Sequence, residues 1–264
     1  MRKIPFWHIF AVSVVFIGII AAGGGGAWLS ASLFPLGDFR EISTVLLSVL
    51  YVYGMALGVY RLFLRCFPLS AGPVPPDSSR ETIYNIYILF NLIFFYPVTF
   101  SGILPVPVFR LWYRLLGARL GENTYSSGII MDPCFVTIGD NSLVGLHAKI
   151  IPHVVEGTKL AHYPVTIGSN VTIGAGAVIL SNVTIGDNAL IGAGAVVPKN
   201  TVIGTGETWV GIPARKLEKG PARPVVLSYD TRLSGRSRRP AAEVKTAGMN
   251  GASDNKKTCS GTGF

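Results

Sequence analysis

IGSNVTIGAGAVILSNVTIGDNALIGAGAVVPKNTVIGTGET, residues 167–208, consists of seven six-residue units laid end to end, opening at Ile167, Ile173, Ile179, Ile185, Ile191, Val197 and Ile203. Each unit starts with a branched aliphatic residue, mostly followed by Gly, and often has a small or β-branched residue at its fifth position. A period of six fits neither an α-helix nor an ordinary strand. It fits a parallel β-helix with three short faces per turn, in which each hexad makes one face and one corner and its lead aliphatic points inward. Burying each lead contributes on the order of 1.5–3 kcal/mol, and the coils support one another through neighbour contacts.

The same frame runs upstream through Leu120, Ser126, Asp132, Ile138, Val144 and Ile150, with weaker leads at the start, as an end cap would have. It breaks once. Ile150 and Ile167 are 17 residues apart where three hexads need 18. The spacing predicts a retained hexad, Ala161 to Thr166, and a five-residue excursion at Glu156 to Leu160. Leu120 to Thr208 then makes about five coils at 18 residues each.

The chain carries a net +9 at pH 7, yet only 14% of its residues are charged, and its mean hydropathy is positive. This balance points to a membrane protein with a basic appendage and away from nucleic-acid binding. Residues 218–264 hold nine Lys/Arg against four Asp/Glu, a net +5, with almost no apolar pattern, and are expected to be disordered. Three apolar runs precede the repeat: Ile4 to Ala22, ended by Gly23 to Gly26; Ile42 to Tyr60, stopped by Arg61 and Arg65; and Ile83 to about Leu104. The first would be about 28 Å long as a helix, close to a hydrocarbon core of roughly 30 Å. Arg2 and Lys3 ahead of it, with Ser30, Ala31 and Ser32 behind, also fit a signal peptide. Expected organisation is therefore a helical membrane domain at 1–119, a β-helix at 120–217 and a basic tail at 218–264.

Arginines flank both the middle loop (Arg61, Arg65, Arg80) and the last run (Arg110, Arg114, Arg119), and all favour the cytoplasm. Three full crossings cannot satisfy both. Either the third run is a re-entrant hairpin bent at Pro97 and near Pro105 and Pro107, feeding the amphipathic VFRLWYRLLGAR with Trp112 and Tyr113 at headgroup level, or it is a plain span with the N-terminus outside. Cys66, Cys134 and Cys259 have no CxxC partner, so neither a disulfide framework nor a zinc site is expected.

The chemistry is expected where the repeat is interrupted, at PHVVEGTKLAHYP (152–164), which gathers His153, Glu156, Lys159 and His162. His153, the following acidic residue, a short loop and then PVTIGSNVTIGAGAVIL resemble the hexapeptide-repeat acyltransferases, such as the maltose and galactoside O-acetyltransferases. That resemblance implies a left-handed β-helix whose histidine before the loop, here His153, is the catalytic base, with Pro164, Val165, Ile167 and Gly168 on the rest of the motif. Val154 stands where many soluble members have Pro, and the loop lacks their Arg. Residues 80–217, through LLGARLGENT, the His153/Glu156 pair and GETWVGIPARKL (206–217), are also similar to the membrane-bound repeat domains that end ε-poly-lysine-type peptide synthetases.

An imidazole suits the work independently, because taking a proton from a hydroxyl or amine near neutral pH needs a base of that pKa. Glu156 is expected to orient it. What the resemblance further implies is acyl-CoA, as acetyl-CoA, lying between the β-helices of a homotrimer. Backbone amides at Gly174, Gly176, Ala177, Gly192, Gly194 and Ala195 would meet its pantetheine arm, Lys199, Arg215 and Lys216 its phosphates, and Trp209 its adenine. His147 and His162 are candidate acceptor-side residues. His147, His153 and His162 lack the 18-residue stacking that a metal triad on one face needs, so no metal is expected. Two readings remain open. One is a cytoplasm-facing, membrane-anchored O- or N-acyltransferase acting on a glycan, lipid-linked sugar or peptide, its partners the membrane lipids and not nucleic acid. The other is a catalytically silent β-helix scaffold in a membrane complex.

Overall fold

The computed structural model describes residues 3–33 and 37–218. Beyond Glu218, the basic tail and Cys259 lie outside the described residues. Among the described residues, five α-helices precede the repeat: α1 (Phe6–Leu33), α2 (Arg40–Cys66), α3 (Ser79–Phe90), α4 (Tyr96–Ser101) and α5 (Val106–Leu116). Phe6–Leu33, Gly37–Cys66 and Ser79–Ser101 are each long and apolar enough to cross a membrane by length and composition. In the most apolar window of the second, only 6% of residues are buried, so its hydrocarbon surface faces outward.

Gly23 to Gly26 do not end the first helix, which continues to Leu33. The helix tolerates them because they are its contact with α2: a Cβ on Gly23 would come within 2.7 Å of Val52 Cγ2, and one on Gly26 within 3.5 Å of the Tyr51 ring. Small residues that let two backbones approach compensate for their poor helix propensity. The third run also differs from a hairpin bent at Pro97. Helical structure carries on from α3 through a π-helical stretch, Asn91–Phe95, into α4, and breaks only at Gly102 in the left-handed region (φ 68°). A π-turn immediately before a proline accommodates the lost N–H donor.

α5 is amphipathic, but Trp112 and Tyr113 are buried rather than placed at a lipid surface. Trp112 Nε1 donates to Thr99 Oγ1 at 2.9 Å. The Tyr113 hydroxyl donates to the Gly128 carbonyl at 2.8 Å and accepts from the Ile130 N–H at 3.2 Å, riveting the helices to the first coil. One core therefore runs from Tyr60, Tyr87 and Phe95 through Tyr113 and Leu116 into the leads Leu120, Ile138 and Ile150.

The repeat is a parallel β-helix. On one face Leu120, Ile138, Ile167, Ile185 and Ile203 stack in register. Ser126, Val144, Ile173, Ile191 and Trp209 stack on the second, and Ile130, Ile150, Ile179 and Val197 on the third. Asn123, Asn141, Asn170, Asn182, Asn188 and Asn200 take left-handed corners (φ 51–63°), a conformation Asn tolerates better than most side chains. Asn182 Nδ2 donates to Asn200 Oδ1 at 2.9 Å, one coil on. Lys216 and Arg215 turn back antiparallel against Trp209 and Val210 and close the last coil.

Two details of the frame differ from the reading by period alone. Regular rungs are 18 residues apart, but Ile138 pairs with Ile167, Val144 with Ile173 and Ile150 with Ile179, each 29 residues on, so eleven residues are extruded instead of five. They form an antiparallel hairpin, His153–Glu156 against Lys159–His162, and no hexad at Ala161 is kept. Upstream, Ile130 and not Asp132 leads its face, pairing with Ile150 across 20 residues. The slack is taken up by Asp132 in a left-handed conformation (φ 43°) and a 3-10 turn at Pro133–Phe135.

Candidate functional site

These two irregularities fall at the same corner of the β-helix, between the third face and the first, on successive coils. Together they build the site. Asp132, released from the stack by its left-handed turn, is 1% exposed, and its Oδ2 lies 2.5 Å from Nδ1 of His153, whose side chain is 23% exposed. Burial alone would lower the imidazole pKa; the hydrogen bond and charge of Asp132 outweigh it and hold His153 above its ordinary value. With Nδ1 engaged, Nε2 is the nitrogen left for a reacting group.

Glu156 does not reach His153. It pairs with Lys199 from the far end of the hairpin, both side chains about half exposed, and Lys199 lowers its pKa. The physical reason is strand alternation: successive side chains point to opposite faces, so Glu156 and Val154 share the face away from His153 and Val155. Asp132 was the residue that sequence reasoning missed. Its signal was available, since an acidic residue stood at a position where the hexad frame calls for an aliphatic lead.

His162 is His153's cross-strand partner, yet it is 1% exposed and does not line an open entrance. It stacks on Phe135 at 5.0 Å and leans on Tyr84 at the same distance, and burial lowers its pKa. Its strand also pairs with Gly72–Pro73, so the connector between α2 and α3 becomes a third strand beside the hairpin. Val74 N–H donates to the Leu160 carbonyl at 2.8 Å, one register further on. His147 occupies the preceding corner, exposed and left-handed (φ 57°), and is not brought to His153. Beside them, burial pushes the Cys134 thiol up to about 12, which makes it an inert packing group.

The backbone donors expected for a pantetheine arm are already engaged. Gly174 and Gly192 N–H groups bond Ile191 and Trp209 carbonyls at 2.8 Å, those of Gly176 and Gly194 bond Leu146 and Ala175, and Ala177 and Ala195 close their own turns. Gly174 is there for close stacking: a Cβ would lie 2.4 Å from the Ala193 nitrogen. Lys216 pairs with Glu207 at 2.6 Å, and Trp209 Nε1 donates to the same carboxylate at 2.9 Å, which holds Glu207 down to about 2. Those residues fasten the C-terminal end, while Arg215 lies exposed on the closing strand. An open groove of about 570 Å³ runs along the outer face of the hairpin, between Pro73–Pro76 and Val154, Lys159, Ser181 and Lys199.

Residues 164–199 match the family model described as bacterial transferase hexapeptide (six repeats). That stretch of the chain is a hexapeptide repeat of the transferase type. Its β-helix is accordingly of the left-handed class. The chain is 30% identical over 139 residues to a delta-poly-L-ornithine synthetase of Acinetobacter baumannii, covering 52% of this chain and 10% of that one. It is 34% identical over 86 residues to a Dictyostelium discoideum protein with an acetyltransferase name, covering 29% of this chain and 45% of that one. The chain thus spans about a tenth and under half of these two relatives. Among solved structures, a hexapeptide-repeat acetyltransferase from Vibrio cholerae complexed with acetyl coenzyme A is 26% identical (TM-score 0.36; 39% of this chain, 60% of that one). A maltose O-acetyltransferase from Clostridium difficile is 24% identical (TM-score 0.38; 65% and 89%).

Proposed function

We propose that this chain is a membrane-anchored, acyl-CoA-dependent acyltransferase in which His153, held by Asp132, is the general base. One observation carries the reading: the single corner where the repeat is interrupted presents a partly exposed imidazole whose inner nitrogen is fixed on a buried carboxylate at 2.5 Å. Structural histidines in a solenoid wall have no need of that arrangement, whereas a base does, because the carboxylate fixes the tautomer and stabilises the imidazolium that forms.

In the step we infer, His153 Nε2 takes a proton from an acceptor hydroxyl or amine as its heteroatom attacks the thioester carbonyl. The carbonyl electron pair returns to expel the CoA thiolate, which leaves as the thiol when the imidazolium gives the proton back. The acyl group, as acetyl, ends on a glycan, lipid-linked sugar or peptide. Within one chain the hairpin groove carrying Lys159 and Lys199 and the imidazole lie on opposite faces of the hairpin, so a second copy is needed to give His153 a facing wall. A homotrimer supplies one. The first two apolar helices would span the bilayer and the third would dip into it without crossing, because its start and the β-helix share one side through the Gly72–Pro73 pairing; that side would be the cytoplasmic one, where acyl-CoA is found and where Arg110, Arg114 and Arg119 favour placement.

Thiol release from acetyl-CoA by the detergent-solubilised full chain, assayed against sugar, lipid-linked sugar and peptide acceptors, tests the reading. Acceptor-dependent release that disappears in His153→Ala is expected. Wild type that neither binds nor turns over any acyl-CoA would leave a scaffold.

A further inference from the structure

Where α2 leaves its apolar stretch, it meets the underside of the first coil, and a cleft of about 610 Å³ opens between them. Three arginines line it: Arg61 from α2, Arg114 from the last turn of α5 and Arg119 from the strand that starts the β-helix. All three are exposed, no carboxylate lines the cleft, and among the described residues none of the three is in an ion pair. Arg61 Nη1 reaches the Arg114 and Leu115 carbonyls only at 3.4 Å each, so its guanidinium is positioned by the end of α5 and keeps its other donors. Three guanidinium groups of one sign at a helix junction repel one another unless an anion joins them.

The cleft does not end at the arginines. A second hollow of about 430 Å³ shares Arg61 with it and lies along α2 among Gly58, Leu62, Leu64 and Arg65, most of its surface apolar. Leu62 is 63% exposed on a helix long and apolar enough to span a membrane. A cationic head compartment that opens into an apolar gutter is complementary to an amphiphile with an anionic head. Guanidinium favours phosphate, whose oxygens accept several of its donors at once.

We propose that Arg61, Arg114 and Arg119 form a binding site for the phosphate headgroup of an anionic membrane lipid, with an acyl chain lying along Gly58, Leu62 and Leu64. The proposal rests on the membrane reading above but not on the transfer reaction. Binding of phosphatidic acid, phosphatidylcholine of the same chains and inorganic phosphate to the full-length protein in mild detergent, measured by native mass spectrometry, tests it. Phosphatidic acid is expected to bind at least about 10-fold tighter than phosphatidylcholine, and millimolar phosphate is expected not to displace it. Arg61→Gln/Arg119→Gln should erase the preference. Arg119→Gln alone, at an exposed side chain, should reduce it several-fold with the unfolding temperature unchanged. Arg40→Gln, about 30 Å away at the other end of the helix, should leave it intact. Equal affinity for the two lipids, a preference untouched by the arginine variants, or displacement by phosphate at lipid-like concentrations would each overturn the site. Alkaline extraction of membranes separates the two failures: a chain that is released refutes the membrane reading itself, and one that stays but shows no lipid preference refutes only the site.

Discussion

The coils from Val165 onward and the two coils that precede them are built from the same hexad, and they behave oppositely. In the later coils each lead aliphatic is sealed from solvent, and the corner N–H groups of Gly174, Gly176, Gly192 and Gly194 are spent on neighbouring coils. Such a wall has side chains of one kind inside and few unmet donors outside, so it holds shape and does little chemistry. Where eleven residues leave the frame and Asp132 slips two positions past its rung, polar groups are freed from repeat duty and placed face to face. Regularity gives stability, and its local failure gives the site.

That contrast is most exposed to His153→Ala. Removing a general base typically costs 10²- to 10⁴-fold in rate, or about 3–5.5 kcal/mol of transition-state stabilisation. The expected outcome is loss of acyl transfer with circular dichroism close to wild type, because the ring is partly exposed and leads no rung, and a moderately lowered unfolding temperature, because Asp132 is left buried without its partner. His147→Ala, one corner earlier, should retain most of the activity. Activity lost in His147→Ala and retained in His153→Ala would mean that the base sits at the wrong corner of the prism.

Next in size is a change confined to the regular wall. Ile185 is 1% exposed and stacked between Ile167 and Ile203. Ile185→Ala should cost about 2–5 kcal/mol through lost burial and the cavity left behind, read as a lowered midpoint in chemical unfolding. The protein that remains folded should transfer at near wild-type rate per molecule. A loss of specific activity comparable to that of His153→Ala would show that the two regions are not separable.

Asp132→Asn keeps the shape and removes the charge. A rate loss on the order of 10²-fold, about 2.7 kcal/mol, is expected, together with a shift in the pH profile. The base works neutral, so activity rises as pH climbs through the His153 pKa; since Asp132 raises that pKa, its removal should move the acid limb to lower pH. Stability follows the same linkage. A raised folded pKa means that the dyad's contribution is complete below the unfolded imidazole pKa of about 6.5 and is lost as pH rises through the folded value. Asp132→Asn should therefore abolish that loss and, with burial alone acting on the imidazole, reverse the slope of unfolding free energy against pH in that window. An acid limb that does not move would detach Asp132 from the base.

How much of this was legible in the sequence divides along the same line. The leads from Ile167 to Ile203 could be read directly, because a fixed period converts position into orientation. The corner carrying His153 could be located, since a break in period is visible wherever the period is strong. Its partner could not be read correctly, because counting residues across an irregular stretch gives no direction. Glu156 is three residues from His153 in sequence and on the opposite face of a hairpin, while Asp132 is 21 residues away and in hydrogen-bond contact. The glycine run at 23–26 misled for a similar reason: as a local signal it ends a helix, and only the approach of Val52 explains why it does not.

The smallest expected effect separates the two acidic candidates most cleanly. Glu156→Gln removes a half-exposed carboxylate at the hairpin tip whose partner is Lys199. An exposed ion pair contributes little to stability, and this one lies on the face that His153 does not use. The rate constant for transfer should change less than about threefold and the acid limb should stay where it is. If Lys199 meets an acyl-CoA phosphate in the assembled enzyme, freeing it from Glu156 should lower the KM for acetyl-CoA while leaving turnover alone, an effect that strengthens at low ionic strength as surface charges do. A drop in turnover with a displaced acid limb, the signature assigned to Asp132, would mean that the hairpin refolds around substrate and brings Glu156 to the imidazole.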